Sequence, residues 1–167
     1  KGEKKLDLNE KLCYENPKYT LGSNKIPETK NLLDKYVSTK ITYTFGSKNE
    51  ILDGNIISEM LDGNKINEWL NVDENLEVVI NEKAVLEYVQ SLSKKYDTVG
   101  VSRNIKTSIG KIIEVKGGFY GWKINCVGET MALLKNIRGG EVLQKEPIYI
   151  QKAVSRDKDD IGNTYVE

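Results

Sequence analysis

Two cysteines, Cys13 and Cys126, and a scatter of carboxylates are the side chains best suited to covalent or acid–base work in this 167-residue chain, which contains no histidine. Without an imidazole the chain holds no Cys–His pair, no Ser–His–Asp triad and no His-ligated metal site of its own. Cys126 follows Asn125 at the expected start of a helix, but no base stands ready to use it. It reads as a small residue at a helix start, and the two thiols are expected to be unpaired. Carboxylate pairs such as Glu59 with Asp62 or Glu68 with Asp73 match the equipment of a glycosidase. They fall, however, in residues 41–90, where ten acidic groups face three basic ones, so that pairs arise by chance. The echo Leu52-Asp53-Gly54-Asn55 and Leu61-Asp62-Gly63-Asn64 offers Asp53, Asn55, Glu59 and Asp62 to calcium. Neither copy has the alternating ligands and terminal Glu of a loop that wraps that ion, and caps and turns are the expected role. No cofactor and no metal site are expected.

The informative segment carries almost no reactive group. Gly117-Gly118-Phe119-Tyr120-Gly121-Trp122-Lys123-Ile124-Asn125 packs three glycines and three aromatics into nine residues. Glycine lets backbone approach where a Cβ would clash, and the rings supply apolar area with polar tips. Such a segment builds a shape or a stacking surface. Phe119, Tyr120 and Trp122, with Trp69, are therefore the candidate ligand-binding residues. Strict strand alternation over this segment places Tyr120 and Trp122 on one face and Phe119 and Gly121 on the other, with Trp122 facing the core and Tyr120 beside it.

The elements that must hold these residues are legible in part. The length suits one domain able to bury a core, and no run approaches the roughly 18 apolar residues of a membrane span. Residues 1–25, rich in Lys and Asn, read as an extended lead-in. Pro27 opens a helix whose apolar face is Leu32, Leu33, Tyr36 and Val37. Ile41–Phe45 is a strand ended by Gly46, and Asp53 caps a short helix carrying Ile56, Ile57 and Met60. Trp69-Leu70 and Leu76–Ile80 are strands. Asn81 caps a helix over residues 82–96 with the core stripe Val85, Val89, Leu92 and Tyr96. Val101–Lys106 and Lys111–Lys116 form a hairpin around Thr107-Ser108-Ile109-Gly110, and Phe119–Ile124 is expected as a third strand of that sheet. Asn125 caps a helix over residues 127–138 with Val127, Met131, Leu134 and Ile137 inward, stopped by Gly139. Glu146–Ile150 is a short edge strand. The pattern lacks βαβα alternation, so the expected class is α+β, an antiparallel sheet with a hairpin and helices packed on one face. The overall charge is balanced, 25 basic against 25 acidic groups, and the acidic middle argues against nucleic acid, which requires a basic stripe.

In this order the pieces resemble the peptidoglycan-binding domain found just upstream of L,D-transpeptidase catalytic domains in Gram-positive cell-wall enzymes. The resemblance rests on Ile41–Phe45 with Leu52-Asp53-Gly54, on Tyr96-Asp97-Thr98, and on Lys106-Thr107-Ser108-Ile109-Gly110. It continues through Gly117–Trp122 and Glu146-Pro147-Ile148-Tyr149 and covers about residues 38–167. Asp160–Glu167 looks like the junction where the catalytic domain begins, which gives an expected division into a lead-in (1–25), an α+β domain (26–161) and the start of a downstream domain (162–167). The catalytic module of that family uses a cysteine beside a histidine in a Ser-His-Gly-Cys setting, and neither Cys13 nor Cys126 lies in one, so no catalytic residue carries over.

The resemblance implies an extracellular, cell-surface or cell-wall location and a parent anchored by an upstream transmembrane helix. It implies a non-catalytic accessory domain with peptidoglycan and the downstream catalytic domain as partners. Contact with the membrane would come only through that upstream anchor. A purely structural spacer or docking role without glycan affinity is the competing expectation, and exposed rings favour recognition where buried rings favour scaffolding.

Overall fold

The computed structural model describes residues 23–58 and 69–153. Glu59, Met60, Asp62, Glu68, Cys13, most of the expected lead-in and the expected junction lie outside the described residues. In chain order the elements are α1 (Lys25–Val37), β1 (Lys40–Phe45), β2 (Lys48–Leu52), α2 (Gly54–Ser58), β3 (Leu70–Val72), β4 (Val78–Ile80) and α3 (Glu82–Tyr96). They continue with β5 (Arg103–Lys106), β6 (Ile112–Val115), β7 (Lys123–Ile124), α4 (Cys126–Gly139), β8 (Val142–Lys145) and β9 (Tyr149–Gln151). The class is α+β.

The core forms around β1. Its alternating Ile41, Tyr43 and Phe45 are buried, and the strand lies at the centre of a three-stranded sheet in the order β2-β1-β8. β2 returns antiparallel to it through the Gly46-Ser47 turn, with Ile41 opposite Leu52 and Phe45 opposite Lys48. β8 runs parallel to β1, with Ile41 opposite Leu143, so this sheet is mixed. Neither β2 nor β8 stands out in the sequence, because Lys48–Leu52 and Val142–Lys145 are short and half polar. α1 packs on α4, and α3 packs on α4. α3 follows its pattern: the Asn81 side chain accepts from the Lys83 and Ala84 N–H groups, Val85, Val89 and Leu92 are buried, and the Tyr96 ring stacks on Phe45 at 3.7 Å. At the rim of this stack Glu50 accepts from Lys95 and Tyr96, and the Lys95 hydrogen bond, ahead of the one from Tyr96, holds its carboxyl below the usual range.

The largest departure from the expected pattern is in α4. Val127 and Met131 are exposed, and the buried face is Glu129, Thr130, Leu133, Leu134 and Ile137. Glu129 is fully buried at 0 % exposure. Its Oε1 accepts from the Tyr43 hydroxyl at 2.7 Å and pairs with the Lys145 Nζ at 2.7 Å, while its Oε2 accepts from the Ile148 N–H at 2.7 Å. A carboxylate so supplied tolerates the interior, and it turns the helix by about one residue relative to the purely apolar stripe. Burial, followed by the adjacent Glu129 charge, drives the Tyr43 phenol far above its ordinary pKa, which keeps it a donor. The helix runs through Gly139 and is capped by Gly140, in the left-handed region at φ 64°.

Two further expectations are corrected. Residues 119–122 are not strand. β7 is confined to Lys123–Ile124 and pairs antiparallel with β9, not with the β5–β6 hairpin. The edge strand expected at Glu146–Ile150 begins only at Tyr149, because the Ile148 N–H is taken by Glu129 and the Ile148 carbonyl by the Asn125 N–H at 2.8 Å.

Candidate functional site

The glycine–aromatic segment is a loop between β6 and β7, clamped from beneath by the turn that ends α3. Asp97 Oδ1 accepts from the Ile124 N–H at 2.9 Å, and Ser93 Oγ donates to the second carboxylate oxygen at 2.6 Å. The Thr98 hydroxyl accepts from the Trp122 N–H at 2.9 Å, and the Thr98 N–H donates to the Trp122 carbonyl at 2.9 Å. The Tyr96-Asp97-Thr98 motif is thus the mount of the loop. Two glycines make the mount possible. A Cβ on Gly117 would lie 1.8 Å from the Gly100 carbonyl oxygen. A Cβ on Gly121, whose φ is 142°, would lie 2.5 Å from the Thr98 carbonyl carbon and the Val99 nitrogen. Alanine at position 121 combines a strained backbone with a backbone collision, so Gly121→Ala is expected to cost about 2–3 kcal/mol. Urea unfolding measures it, and a loss below about 0.5 kcal/mol would mean that the close approach is not required.

From the other side Arg103 closes the arrangement. Its guanidinium donates to the Thr98 carbonyl at 2.9 Å and the Tyr120 carbonyl at 3.4 Å, and lies 5.5 Å from the Tyr120 ring centroid. The Gln151 side-chain amide donates to the Phe119 carbonyl and, at 3.1 Å, to the Gly121 carbonyl. The clamp fixes the four candidate rings very differently. Trp122 is 9 % exposed and meets Tyr149 edge-on at 4.9 Å, with Lys152 Nζ 5.9 Å away. Trp69, far from this loop in the chain, is 4 % exposed and meets Tyr88 edge-on at 5.5 Å. Tyr120 is half-buried. Phe119 is 94 % exposed, although its own carbonyl is held. The loop therefore brings Phe119, Tyr120 and Trp122 together in chain order, spends Trp122 on the core and leaves Phe119 in solvent. Trp69 belongs to the core around α3.

Chemically the loop offers a rigid apolar projection and backbone amides. Cys126 opens α4 as a partly buried thiol, and among the described residues no group of three or more Cys, Asp or Glu is placed to hold a metal ion.

Residues 19–143 match the family described as "Putative peptidoglycan binding domain". The chain belongs to this family. The match runs from ahead of α1 into β8 and takes in both the Asp97-Thr98 mount and the glycine–aromatic loop. Among solved structures a similar fold occurs in the Ldtfm–avibactam carbamoyl enzyme, with a TM-score of 0.58 and 22% identity over 81% of this chain. It recurs also in a Cys-to-Ser variant of the Enterococcus faecium L,D-transpeptidase, with a TM-score of 0.57 and 22% identity over 80% of this chain. In both cases the shared part is 49% of the other chain, so this chain spans about half the length of the structures it matches. No curated protein matches it. Among the described residues no helix is long and apolar enough to cross a membrane.

Sequence reasoning missed one feature near this site: Ile112, Ile113 and Val115 of the β5–β6 hairpin face solvent. The signal was there in Ile112-Ile113, two adjacent apolar residues that a strand must send to opposite faces.

Proposed function

We propose that this chain is a non-catalytic accessory domain of a cell-wall L,D-transpeptidase, holding the catalytic domain in a set position against peptidoglycan at the cell surface. The observation that carries the reading is the clamped loop. A segment inside the matched region is locked by Asp97, Thr98, Arg103 and Gln151 and presents an exposed Phe119, while the Asp97 carboxylate beneath it is engaged by Ser93 and the Ile124 N–H. The family and the likeness in fold to L,D-transpeptidases support the setting. The burial of Trp69 and Trp122 supports positioning as the main task, since neither ring has a face left for a sugar. Contact with the wall falls to Phe119 and the open side of Tyr120. In this reading the domain extends over residues 26–161, the catalytic domain follows it, and an upstream helix anchors the parent.

Two measurements test the proposal. Removing the domain from the parent enzyme is expected to lower or redirect peptidoglycan cross-linking, as read from muropeptide composition. Purified sacculi are expected to retain the 167-residue chain, with Phe119→Ala weakening retention by roughly 2- to 12-fold, the equivalent of one stacked ring. Unaltered cross-linking together with no retention above a control protein would sink the reading. Retention lost and cross-linking dependence kept would leave the pure spacer.

A further inference from the structure

We infer that the β5–β6 hairpin is the face on which the catalytic domain docks; this rests on the accessory-domain reading above. Each strand has four residues, with Arg103 opposite Val115 and Lys106 opposite Ile112, and the hairpin packs substantially on no other described strand or helix. It projects by roughly 14 Å, at about 3.4 Å per residue. An isolated two-stranded ribbon is marginal in water, because it has no surface on which to bury its side chains. This one carries Ile109, 85 % exposed at the tip, with Ile112, Ile113 and Val115 along β6 and Val101 at the base, all exposed. Ile113 and Val115 lie on one face and Ile112 on the other, so turning the ribbon cannot hide them from water.

Three observations choose the occupant. The exposed surface is aliphatic and β-branched, which suits the side chains of a protein better than the flat face of a sugar. The described fold also leaves at the base of this ribbon. β9 ends at Gln151, whose amide is bonded to the carbonyls of Phe119 and Gly121, and the Gly118 carbonyl accepts from the Gly100 N–H at 3.1 Å. β9 thus ends against the loop that leaves β6, and a domain tethered after it would meet the ribbon at high effective concentration. Finally, the structures that share this fold contain about as much chain again outside the shared part. The loop that presents Phe119 stays with the wall, and the ribbon beside it takes the catalytic domain.

Hydrogen exchange of the full-length parent, compared with that of the 167-residue chain, tests the inference. Amides of Arg103–Lys106 and Ile112–Val115 are expected to exchange about tenfold or more slowly in the parent. Ile113→Asp should abolish that difference while leaving the melting temperature of the 167-residue chain unchanged, and Ile109→Ser, at the exposed tip, should reduce it if the aspartate variant folds poorly. Equal exchange in both proteins overturns the inference. So does protection that grows with the concentration of the 167-residue chain, which would indicate a second copy. Protection that comes only with phosphatidylglycerol vesicles, drawn by Lys106 and Lys111, or only with sacculi, overturns it as well. A parent without a transpeptidase domain would overturn the function on which the inference rests. A parent whose cross-linking needs the domain while its ribbon stays open would overturn the docking face alone.

Discussion

Replacing Lys145 by methionine is expected to destabilise the domain by about 3–5 kcal/mol, the cost of leaving a buried charge without its partner. Glu129 is completely enclosed, and Lys145 is the only cation that the described structure brings to it, at 2.7 Å. The aliphatic stem of methionine fills the space but supplies no charge, and Tyr43 and the Ile148 N–H are left to solvate a carboxylate alone. Adding Glu129→Gln to Lys145→Met should recover most of the loss. The amide oxygen can accept from the Ile148 N–H, and the amide nitrogen can donate to the Tyr43 hydroxyl, which works as an acceptor as well as a donor. Urea midpoints of the two single variants and the double variant form a cycle whose coupling should exceed about 2 kcal/mol. Additive losses would show that the pair contributes nothing beyond its separate packing. The cluster ties α4, β1, β8 and the approach to β9 into one unit, so its loss should loosen the floor beneath the glycine–aromatic loop as well.

The same cluster explains where sequence reasoning stops. α3 was legible because its signals are local: Asn81 caps its own next turn, and Val85, Val89 and Leu92 repeat on one face. The β5–β6 hairpin was legible because Thr107 closes it within a few residues, donating to and accepting from Lys111. α4 was misread because its true inward face includes Glu129, which is acceptable only through Lys145, sixteen positions further on, and Tyr43, on another element. Periodicity ranks such a residue as exposed and lets Val127 and Met131 take its place. β8 was missed for a related reason, since its parallel partner β1 lies about a hundred residues earlier in the chain. At the candidate site the glycines correctly announced a close approach. What they approach, Gly100 and the Thr98 backbone, is a tertiary fact. The strand assignment failed here because the segment is held by Asp97, Thr98 and Gln151 instead of by strand pairing, although Trp122 is buried and Phe119 exposed as the alternation expected.

That difference in burial determines how aromatic substitutions in this loop should be read. Trp122→Ala is expected to cost about 3–5 kcal/mol, the usual range for deleting a large core ring. The ring is enclosed and set edge-on against Tyr149, and its backbone is bonded at both ends to Thr98. Phe119→Ala, three residues away, is expected to change stability by less than about 0.5 kcal/mol, because its ring touches mostly water. Thermal melts of the two variants separate these outcomes. A stable Trp122→Ala domain would mean that the ring is not part of the core, and a strongly destabilised Phe119→Ala domain would mean that its ring packs against something. The contrast bears on function. A Trp122 variant that no longer binds cell wall reports partial unfolding of the loop, whatever the ring would do to a sugar. Only Phe119, which can be removed without disturbing the clamp, isolates contact with peptidoglycan from the integrity of the scaffold. If retention on sacculi survives Phe119→Ala and fails only when Trp122 is lost, the domain has no stacking site in this loop, and its contribution to the parent enzyme is positional.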